Sequence, residues 1–297
     1  MSRPSLSAGR NYGPMYGYPM GVWFSLFFLL PILIIVTYSF LRKGVHGGVV
    51  AEFSLDAYRQ MMNASYGKLL VRTLWISFIS TVISIVVALP CGYAMARSKH
   101  QTFLLFLIII PFWTNSLIRI NAWIAILGNE GFINEILKKA GFIEDSIRFL
   151  YNQNAVILVM IYMYLPYAIL PIFTAMDKFD FSLLEAARDL GATKSQSMFK
   201  VLLPNVRAGI VTAIIFTFIP IFGAYTVPLL VGGMDSYMIG NVIVDQVTKV
   251  RNWPLASAFS MLITVVSTAG VLWMMGTSAR EAARTRGSKT VKQESGL

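Results

Sequence analysis

One charged stretch decides the fold of this chain: Glu185-Ala186-Ala187-Arg188-Asp189-Leu190-Gly191, continuing to Val201-Leu202-Leu203-Pro204. Before Gly191 the apolar residues recur every three or four positions, which predicts one face of a short helix formed by Leu183, Leu184, Ala187 and Leu190. Glycine adopts the left-handed conformation that ends a helix at no steric cost, so we expect the helix to stop at Gly191. We predict a second short helix from Thr193 to Leu202 and a new helix that begins at Pro204. Residues 182–204 are thus expected to form a rigid helix–turn–helix segment.

Long apolar runs flank this segment on both sides. Hydrophobic residues make up 56% of the 297 residues and charged residues only 13%, about half the share in a typical soluble domain. Runs of about 20 residues can cross about 30 Å of hydrocarbon. We therefore expect an all-α polytopic membrane protein with a flexible leader (1–19), a six-helix transmembrane domain (20–278) and a basic tail (279–297). The predicted spans are 20–41, 70–96, 102–127, 154–176, 207–231 and 256–278.

The distribution of basic residues predicts the orientation of these spans. The side that holds both termini and the helix–turn–helix segment carries 14 Lys and Arg against 9 on the other side, with Arg72 and Arg119 inside spans. The acidic residues divide 6 against 8 in the opposite sense. The positive-inside rule then places both termini and the segment in the cytosol. The net charge of +11 reflects this topology and does not indicate a nucleic-acid partner.

Prolines and small residues inside the spans predict kinked helices that pack closely. Proline removes a backbone hydrogen bond, so its neighbours must compensate; those in the first five spans are Pro31, Pro90, Pro111, Pro166, Pro171, Pro220 and Pro228. The second span carries small residues that allow close helix contact: Ser77, Ser80, Thr81, Ser84, Ala88 and Gly92.

The spacing of the charged stretch resembles the EAA loop of ABC-importer permeases: Glu-Ala-Ala, three residues, Gly, nine residues, an aliphatic residue, one residue, Leu-Pro. Val201 stands where the family usually has Ile. The resemblance implies a type I ABC importer permease of MetI-like architecture, with a coupling loop at 177–206 that docks on a cytoplasmic ATPase dimer. It also implies a second homologous permease subunit and an external substrate-binding protein. The residues that would couple to the ATPase are Glu185, Ala186, Ala187, Asp189, Gly191, Leu203 and Pro204.

The short core of this motif occurs a second time. Glu281-Ala282-Ala283 is also followed three residues later by Gly287, but no span and no Leu-Pro follow it. We interpret this copy as a chance occurrence in the charged tail.

Other stretches resemble the polyamine (spermidine/putrescine) branch of these permeases. They are Pro111-Phe112-Trp113-Thr114-Asn115-Ser116-Leu117-Ile118-Arg119, Leu184 to Gly191, Ile239-Gly240-Asn241-Val242-Ile243 and Arg251-Asn252-Trp253-Pro254. The likeness covers nearly the whole chain from the first span onward. Family members often carry Asp where Asn252 stands, and we expect this position on the outer side, where a cationic substrate would arrive.

Polar and aromatic residues in the third and fifth spans are candidates to line a pathway: Trp113, Asn115, Arg119, Phe222 and Tyr225. Aromatic faces can attract a cation by about 0.5–2 kcal/mol, enough for guidance and weak enough for release. An intramembrane Arg costs about 2.5–3.5 kcal/mol on insertion scales, so it is normally paired or hydrated. Arg119 either lines the pathway or reaches the outer interface with its long side chain.

Several chemistries have no basis in this sequence. The predicted spans contain no Asp, Glu or His for a proton relay, and no Walker A motif is present, so ATP and Mg would bind the partner ATPase. No catalytic cluster or metal site is predicted, and Cys91 is the only cysteine. The chain is therefore expected to be a transport subunit of the bacterial inner membrane rather than an enzyme. The alternatives are another small solute (an amino-acid derivative, an organophosphonate or an anion), a secondary carrier working alone, or a membrane scaffold that does not transport.

Overall fold

The computed structural model describes the backbone of residues 13–294 and the side chains of residues 18–276. Helices dominate this part of the chain. In order they are α1 (Gly13–Phe24), α2 (Leu30–Ser39), α3 (Asp56–Met61), α4 (Ala64–Ala96), α5 (Gln101–Ile109), α6 (Ser116–Leu127), α7 (Phe132–Lys139), α8 (Gln153–Asp177), α9 (Ser182–Asp189), α10 (Lys194–Ser197), α11 (Leu203–Phe222), α12 (Thr226–Val231), α13 (Ile239–Thr248) and α14 (Trp253–Glu294). Two short strands, β1 (Leu41–Lys43) and β2 (Val49–Phe53), form an antiparallel hairpin between α2 and α3 that the sequence did not predict.

Five of the described helices are long and apolar enough to cross a membrane, and a bent pair gives a sixth span. The five are Tyr18–Ser39, Ala64–Ala96, Gln153–Asp177, Lys194–Phe222 and Trp253–Gly276. The bent pair is Gln101–Trp113 with Ser116–Lys139, whose axes differ by 92°. Six spans were predicted, but the third is broken in its middle.

The core of the bundle is formed by α4, α8 and α11. Small residues of α4 are buried there, as predicted, which lets the helix backbones approach closely. A Cβ at Gly92 would lie 2.9 Å from Ile172 Cγ2, and one at Gly209 would lie 2.7 Å from the Pro171 carbonyl oxygen. Glycine at these two positions therefore sets the distance of α8 from both of its neighbours.

The fifth span ends earlier than predicted. The predicted range was 207–231, whereas the helix stops at Phe222 and α12 begins only at Thr226. Gly223 and Ala224 close the end of α11 with turn hydrogen bonds to Ile219 and Ile221 carbonyls, at 3.2 and 3.1 Å. Pro220 lies one turn before this break, and Pro111 lies just before the break in the third span. The other helices run on through their prolines, as α8 does at Pro166 and Pro171.

The ends of the chain differ from expectation in two respects. Helix α1 begins at Gly13, inside the predicted leader, and residues 1–12 of that leader lie outside the described residues. Helix α14 continues to Glu294, so Gly287 lies inside a helix and makes no turn. This agrees with the interpretation of the second Glu-Ala-Ala copy as chance. The last part of the predicted tail, residues 295–297, lies outside the described residues.

Candidate functional site

The first helix of the helix–turn–helix segment is preceded by an acidic residue that bonds to its first N–H group. The Asp180 carboxylate accepts a hydrogen bond from the Ser182 backbone N–H at 3.0 Å. Hydrogen bonds from the Ser182 side chain and then from its backbone hold the pKa of Asp180 below its ordinary value. The Asp180 carboxylate therefore lies next to the free N–H groups in the first turn of α9.

The turn after α9 has the geometry of a Schellman motif. Gly191 has φ +88°, its N–H donates to the Arg188 carbonyl at 2.8 Å, and the Ala192 N–H donates to the Ala187 carbonyl at 3.0 Å. A Cβ on Gly191 would meet no atom within 4 Å. The backbone conformation, and not crowding, therefore requires glycine here, and the predicted stop at Gly191 is confirmed.

The second helix of the segment begins with a capping box. The Thr193 hydroxyl accepts from the Gln196 N–H at 3.2 Å, and the Gln196 side chain accepts from the Thr193 N–H at 3.0 Å. Together with the Schellman turn, this box fixes the angle between the two helices.

The α-helix α11 begins at Leu203 with Pro204 in its first turn, as predicted, but no break separates it from the preceding helix. One continuous helix runs from Lys194 to Phe222, with a π-helical turn at Met198–Leu202. The Leu203 N–H bonds to the Met198 carbonyl across this wide turn, just before the proline that lacks an N–H. The second helix of the segment therefore continues directly into the fifth span, whereas α9 is joined to it through the turn at Gly191.

Two leucines hold the segment against the bundle. Leu184 and Leu202 are fully buried in a cluster with Met95, Phe173 and Met176. The predicted apolar face of α9 is only partly packed, because Leu190 is 90% exposed and Leu183 is 45% exposed. Glu185 and Asp189 are exposed beside them. The segment thus presents a mixed apolar and acidic surface away from the bundle, which is a suitable surface for a protein partner.

An arginine that the sequence analysis missed joins this segment to α4. Arg97 lies at the end of α4, donates to the Tyr93 hydroxyl at 3.0 Å and has its guanidinium carbon 5.6 Å from the centre of the Phe181 ring. The hydrogen bond to Tyr93 raises the pKa of Arg97. Phe181 immediately precedes α9, so this contact connects the start of the segment to the second span. Its only sequence signal is a basic residue after a span, which is common to most cytosolic span ends.

At mid-depth of the bundle the third span breaks between Trp113 and Ser116. Asn115 caps α6, because its side chain accepts from the Leu117 N–H at 2.8 Å. Trp113 is 82% exposed. Arg119, one turn into α6, is partly buried and has its guanidinium carbon 4.8 Å from the centre of the Phe112 ring. Phe112 and Arg119, which both belong to the stretch Pro111 to Arg119, thus lie close together on the two sides of the break.

The break in the fifth span is held by α13. The buried Asn241 side chain donates to the Tyr225 carbonyl at 2.8 Å and accepts from the Met238 N–H at 3.1 Å. A Cβ at Gly240 would lie 2.8 Å from the Gly223 carbonyl oxygen, so only glycine lets α13 approach this close. The Ile239-Gly240-Asn241 stretch thus fixes the irregular backbone at the end of α11.

The two breaks meet at a cavity of about 240 Å³. Its lining includes Ser116, Tyr164, Gly223 and Tyr225. Irregular backbone at membrane depth is tolerated where it is buried or lines a cavity, and transporters often bind their substrates at such breaks. Of the five predicted lining residues, Tyr225 lines this cavity, Asn115 and Arg119 lie at the break beside it, and Trp113 faces outward. Phe222 is fully buried and stacked on Phe218, with ring centres 5.6 Å apart, so it lines no open surface in this structure.

The structure gives Asn252, which is expected on the outer side, a local structural role. Asn252 is 6% exposed, and its side chain accepts from the Leu255 N–H at 3.3 Å in the first turn of α14. It therefore acts as a helix cap, a role for which Asn and Asp are nearly equivalent. The residue does not present a group to an arriving substrate, and the change from Asp removes no surface carboxylate.

Tyr237, Asp245 and Lys249 form a cluster of polar contacts near this cap. Asp245 accepts a hydrogen bond from the Tyr237 hydroxyl and lies 2.7 Å from Lys249 Nζ. The bond from Lys249, followed by that from Tyr237, lowers the pKa of Asp245. Burial, followed by the hydrogen bond to Asp245, raises the pKa of Tyr237 to about 12. The cluster ties the loop before α13 to the end of that helix.

These features define the class of the protein. The described residues form five spanning helices and one broken span, with a mid-depth cavity where α6, α8 and the end of α11 meet, and a helix–turn–helix segment at one end leads into the fifth span. This is the organisation of a transport permease that is moved from outside the membrane.

Comparison with known proteins identifies the family. Residues 80–281 match the model of the binding-protein-dependent transport system inner membrane component. The chain is 37% identical over 246 residues to the spermidine/putrescine transport system permease protein PotB of Escherichia coli (strain K12), covering 82% of this chain and 90% of the relative. The PotB protein of Haemophilus influenzae is also 37% identical over 246 residues. The chain therefore belongs to the family of binding-protein-dependent inner membrane permeases, and it is a transport subunit of an ABC importer rather than an enzyme.

A solved structure supports the fold independently. A bacterial ABC transporter involved in the import of the acidic polysaccharide alginate contains a chain that matches with a TM-score of 0.73 and 17% identity, covering 91% of this chain and 96% of that chain. At this identity the likeness shows the fold alone.

Proposed function

We propose that this chain forms half of the translocation pathway of a type I ABC importer for spermidine or putrescine. The observation that carries the substrate assignment is the 37% identity to spermidine/putrescine permeases over 82% of the chain. The departure from the family pattern at Asn252 is compatible with this substrate, because the Asn252 side chain caps α14 and Asp could serve as the same cap.

The geometry of the helix–turn–helix segment supports a mechanical role. The segment binds a groove of a cytoplasmic ATPase dimer through the exposed side chains of Glu185 and Leu190. When ATP, with its Mg, closes that dimer, α9 moves, and the continuous helix from Lys194 to Phe222 carries the displacement to the mid-depth cavity. Ala186, Ala187 and Asp189 shape the docking surface, Gly191 forms the turn, and Leu203 and Pro204 follow the π-helical turn.

Three partners and an orientation belong to this proposal. A second permease subunit covers the exposed apolar faces and completes the pathway, and an external binding protein delivers the polyamine to the end opposite the segment. Both termini lie in the cytosol of a bacterial cell, as the charge bias of 14 against 9 basic residues indicates.

An anion as substrate has less support. Arg72 donates to the Met234 carbonyl at 3.1 Å, and Arg119 rests on the Phe112 ring. Arg72 is thus hydrogen-bonded within the protein, the Arg119 guanidinium packs on an aromatic ring, and neither arginine is among the residues that line the cavity.

The proposal is tested by reconstituting the complete importer in proteoliposomes and measuring ATP-driven uptake of radiolabelled spermidine, putrescine, a neutral amino acid and phosphate. We expect uptake of the polyamines only. Glu185→Ala should abolish uptake, and Glu281→Ala in the second Glu-Ala-Ala copy is the matched control that should retain it. Uptake of the anion without polyamine uptake would refute the substrate, and full uptake by Glu185→Ala would refute the coupling role.

A further inference from the structure

The intramembrane Arg119 has an unusual set of contacts. Its guanidinium carbon lies 4.8 Å from the Phe112 ring centre, and its buried Nε has no hydrogen-bond partner among the described residues. A permanent charge inside a membrane protein is normally paired with an anion or hydrated. Here the guanidinium is held against an aromatic face, which attracts cations through the ring quadrupole.

Phe112 belongs to an aromatic cluster that extends to the cavity. The Phe112 and Tyr167 rings meet edge to face with centres 5.3 Å apart, and the Tyr167 and Tyr164 centres are 6.0 Å apart. Tyr164 also lines the mid-depth cavity. The ring that holds the guanidinium is therefore joined to the cavity wall through Tyr167 and Tyr164.

The cavity itself favours a cation without a carboxylate. No acidic residue lines it. One wall is the C-terminal end of α11, a 20-residue helix whose last carbonyl groups carry partial negative charge. Broken helices of other transporters use such C-terminal ends to bind cations. The opposing positive end of α6 is partly neutralised, because Asn115 already accepts from its Leu117 N–H.

We propose that the aromatic cluster of Phe112, Tyr167 and Tyr164 at the edge of the cavity is a binding site, here called the station, for one ammonium group of the transported polyamine. Arg119 occupies this cluster as a resident cation while no substrate is present. This inference rests on the proposed polyamine function. It adds where the polyamine binds in this chain and names Arg119 as the cation that competes with it. A substrate ammonium that binds Phe112 and Tyr164 displaces the guanidinium, and the return of the guanidinium displaces the ammonium. Competition of this kind keeps the station weak, which a pathway requires because substrate must leave it as readily as it enters.

The test measures binding and turnover separately in the complete importer. Equilibrium binding of radiolabelled spermidine is measured on the complex in nanodiscs without the binding protein, and ATP-driven uptake is measured in proteoliposomes with saturating binding protein. Removal of the resident cation by Arg119→Gln should tighten binding by about 2- to 30-fold, the range that a cation–π contact supplies, and should slow uptake at saturation. Arg119→Lys keeps the charge and should stay close to the parent protein.

Aromatic variants provide the controls. Phe112→Leu should weaken binding and cancel the gain of Arg119→Gln in the double variant, whereas Phe112→Tyr should preserve both. Phe106→Leu, a matched change at an exposed ring on α5, should alter neither quantity.

Each outcome decides one question. If the parent complex takes up polyamines but Arg119→Gln binds spermidine equally or more weakly, the station is refuted and the proposed function stands. A merely structural role of Arg119 would lower binding and uptake together, which also refutes the station. If the parent complex takes up no polyamine, both the function and the inference fail.

Discussion

Replacement of Gly191 offers a graded test of the helix–turn–helix segment. At φ +88° an L-residue places its Cβ against its own backbone, which costs about 1–2 kcal/mol, and no neighbouring atom within 4 Å adds to that cost. Asn and Asp tolerate the left-handed region better than Ala, and β-branched residues tolerate it least. We therefore expect coupling to fall in the order Gly, Asn, Ala, Val.

The magnitude follows from the turn equilibrium. A cost of about 1–2 kcal/mol lowers the population of the native turn relative to its alternatives by about 5- to 30-fold. The turn orients α9 against the helix that enters the fifth span, so its loss separates ATP hydrolysis from movement of α11. Gly191→Asp should act through two effects, the strain that it shares with Asn and the charge that it adds near Asp189.

The assay is the number of polyamine molecules taken up per ATP hydrolysed in proteoliposomes that contain the complete importer. Gly191→Asn and Gly191→Asp have nearly the same shape, so their difference reports the added charge alone. Assembly of each variant is checked by co-purification of the ATPase. Full coupling in an assembled Gly191→Val complex would refute the claim that this backbone conformation transmits the movement.

Three further predictions concern the packing and the caps. Gly209→Val should destabilise the α8–α11 contact by about 1–3 kcal/mol and lower the melting temperature of the purified complex, because its Cβ would lie 2.7 Å from the Pro171 carbonyl oxygen; an unchanged melting temperature would contradict this packing. Asn252→Ala should cost about 0.5–2 kcal/mol while Asn252→Asp keeps the cap and the uptake rate, and a gain of uptake in Asn252→Asp would restore the substrate-facing role. The carboxylate of Asp245 has a lowered pKa, so its contribution to stability is present above the ordinary Asp pKa of about 4 and is lost as the pH falls through the folded-state pKa. Thermal unfolding measured from pH 7 to pH 3 should show this loss of stability in the parent chain. The loss should be smaller in Asp245→Asn.

The sequence predicted the helix–turn–helix segment well because its signals are local. Gly191 ends α9 and Thr193 begins the next helix through contacts within a few residues. Pro204 correctly marked the first turn of α11, but nothing in the sequence indicated the π-helical turn Met198–Leu202 that joins α11 to the helix before it.

Hydropathy did not reveal the breaks in the third and fifth spans. Thr114 and Asn115 in the third span and Gly223 and Ala224 in the fifth lie within runs that are apolar enough to span a membrane. The breaks form because tertiary contacts satisfy the freed backbone groups, as Asn241 does for the Tyr225 carbonyl. The pattern Pro111 to Asn115, a proline followed by a helix-capping residue, was a local signal that could have revealed the first break.

The candidate pathway was the least predictable feature. In an apolar helix, periodicity does not separate aromatic residues that face a cavity from those that pack in the core. Phe222 and Tyr225 lie only three residues apart, yet Phe222 is packed in the core and Tyr225 lines the cavity. Phe112 and Arg119 lie on the two sides of the break in the third span, and Tyr164 comes near them from the continuous helix α8, a juxtaposition that only the tertiary structure shows.

Site-directed cross-linking tests most directly whether residues 182–204 meet the ATPase. Cys91 is the only cysteine, so a Cys91→Ser background leaves no native thiol. Single cysteines are then introduced at Leu190, 90% exposed on the segment, and at Met234, 93% exposed between α12 and α13 as a matched control. In the assembled importer, a short reagent that reacts with a thiol at one end and carries a photoactivated group at the other should join Leu190→Cys to the ATPase and should leave Met234→Cys unlinked to it. Linkage of Met234→Cys to the ATPase, with none at Leu190→Cys, would contradict the account.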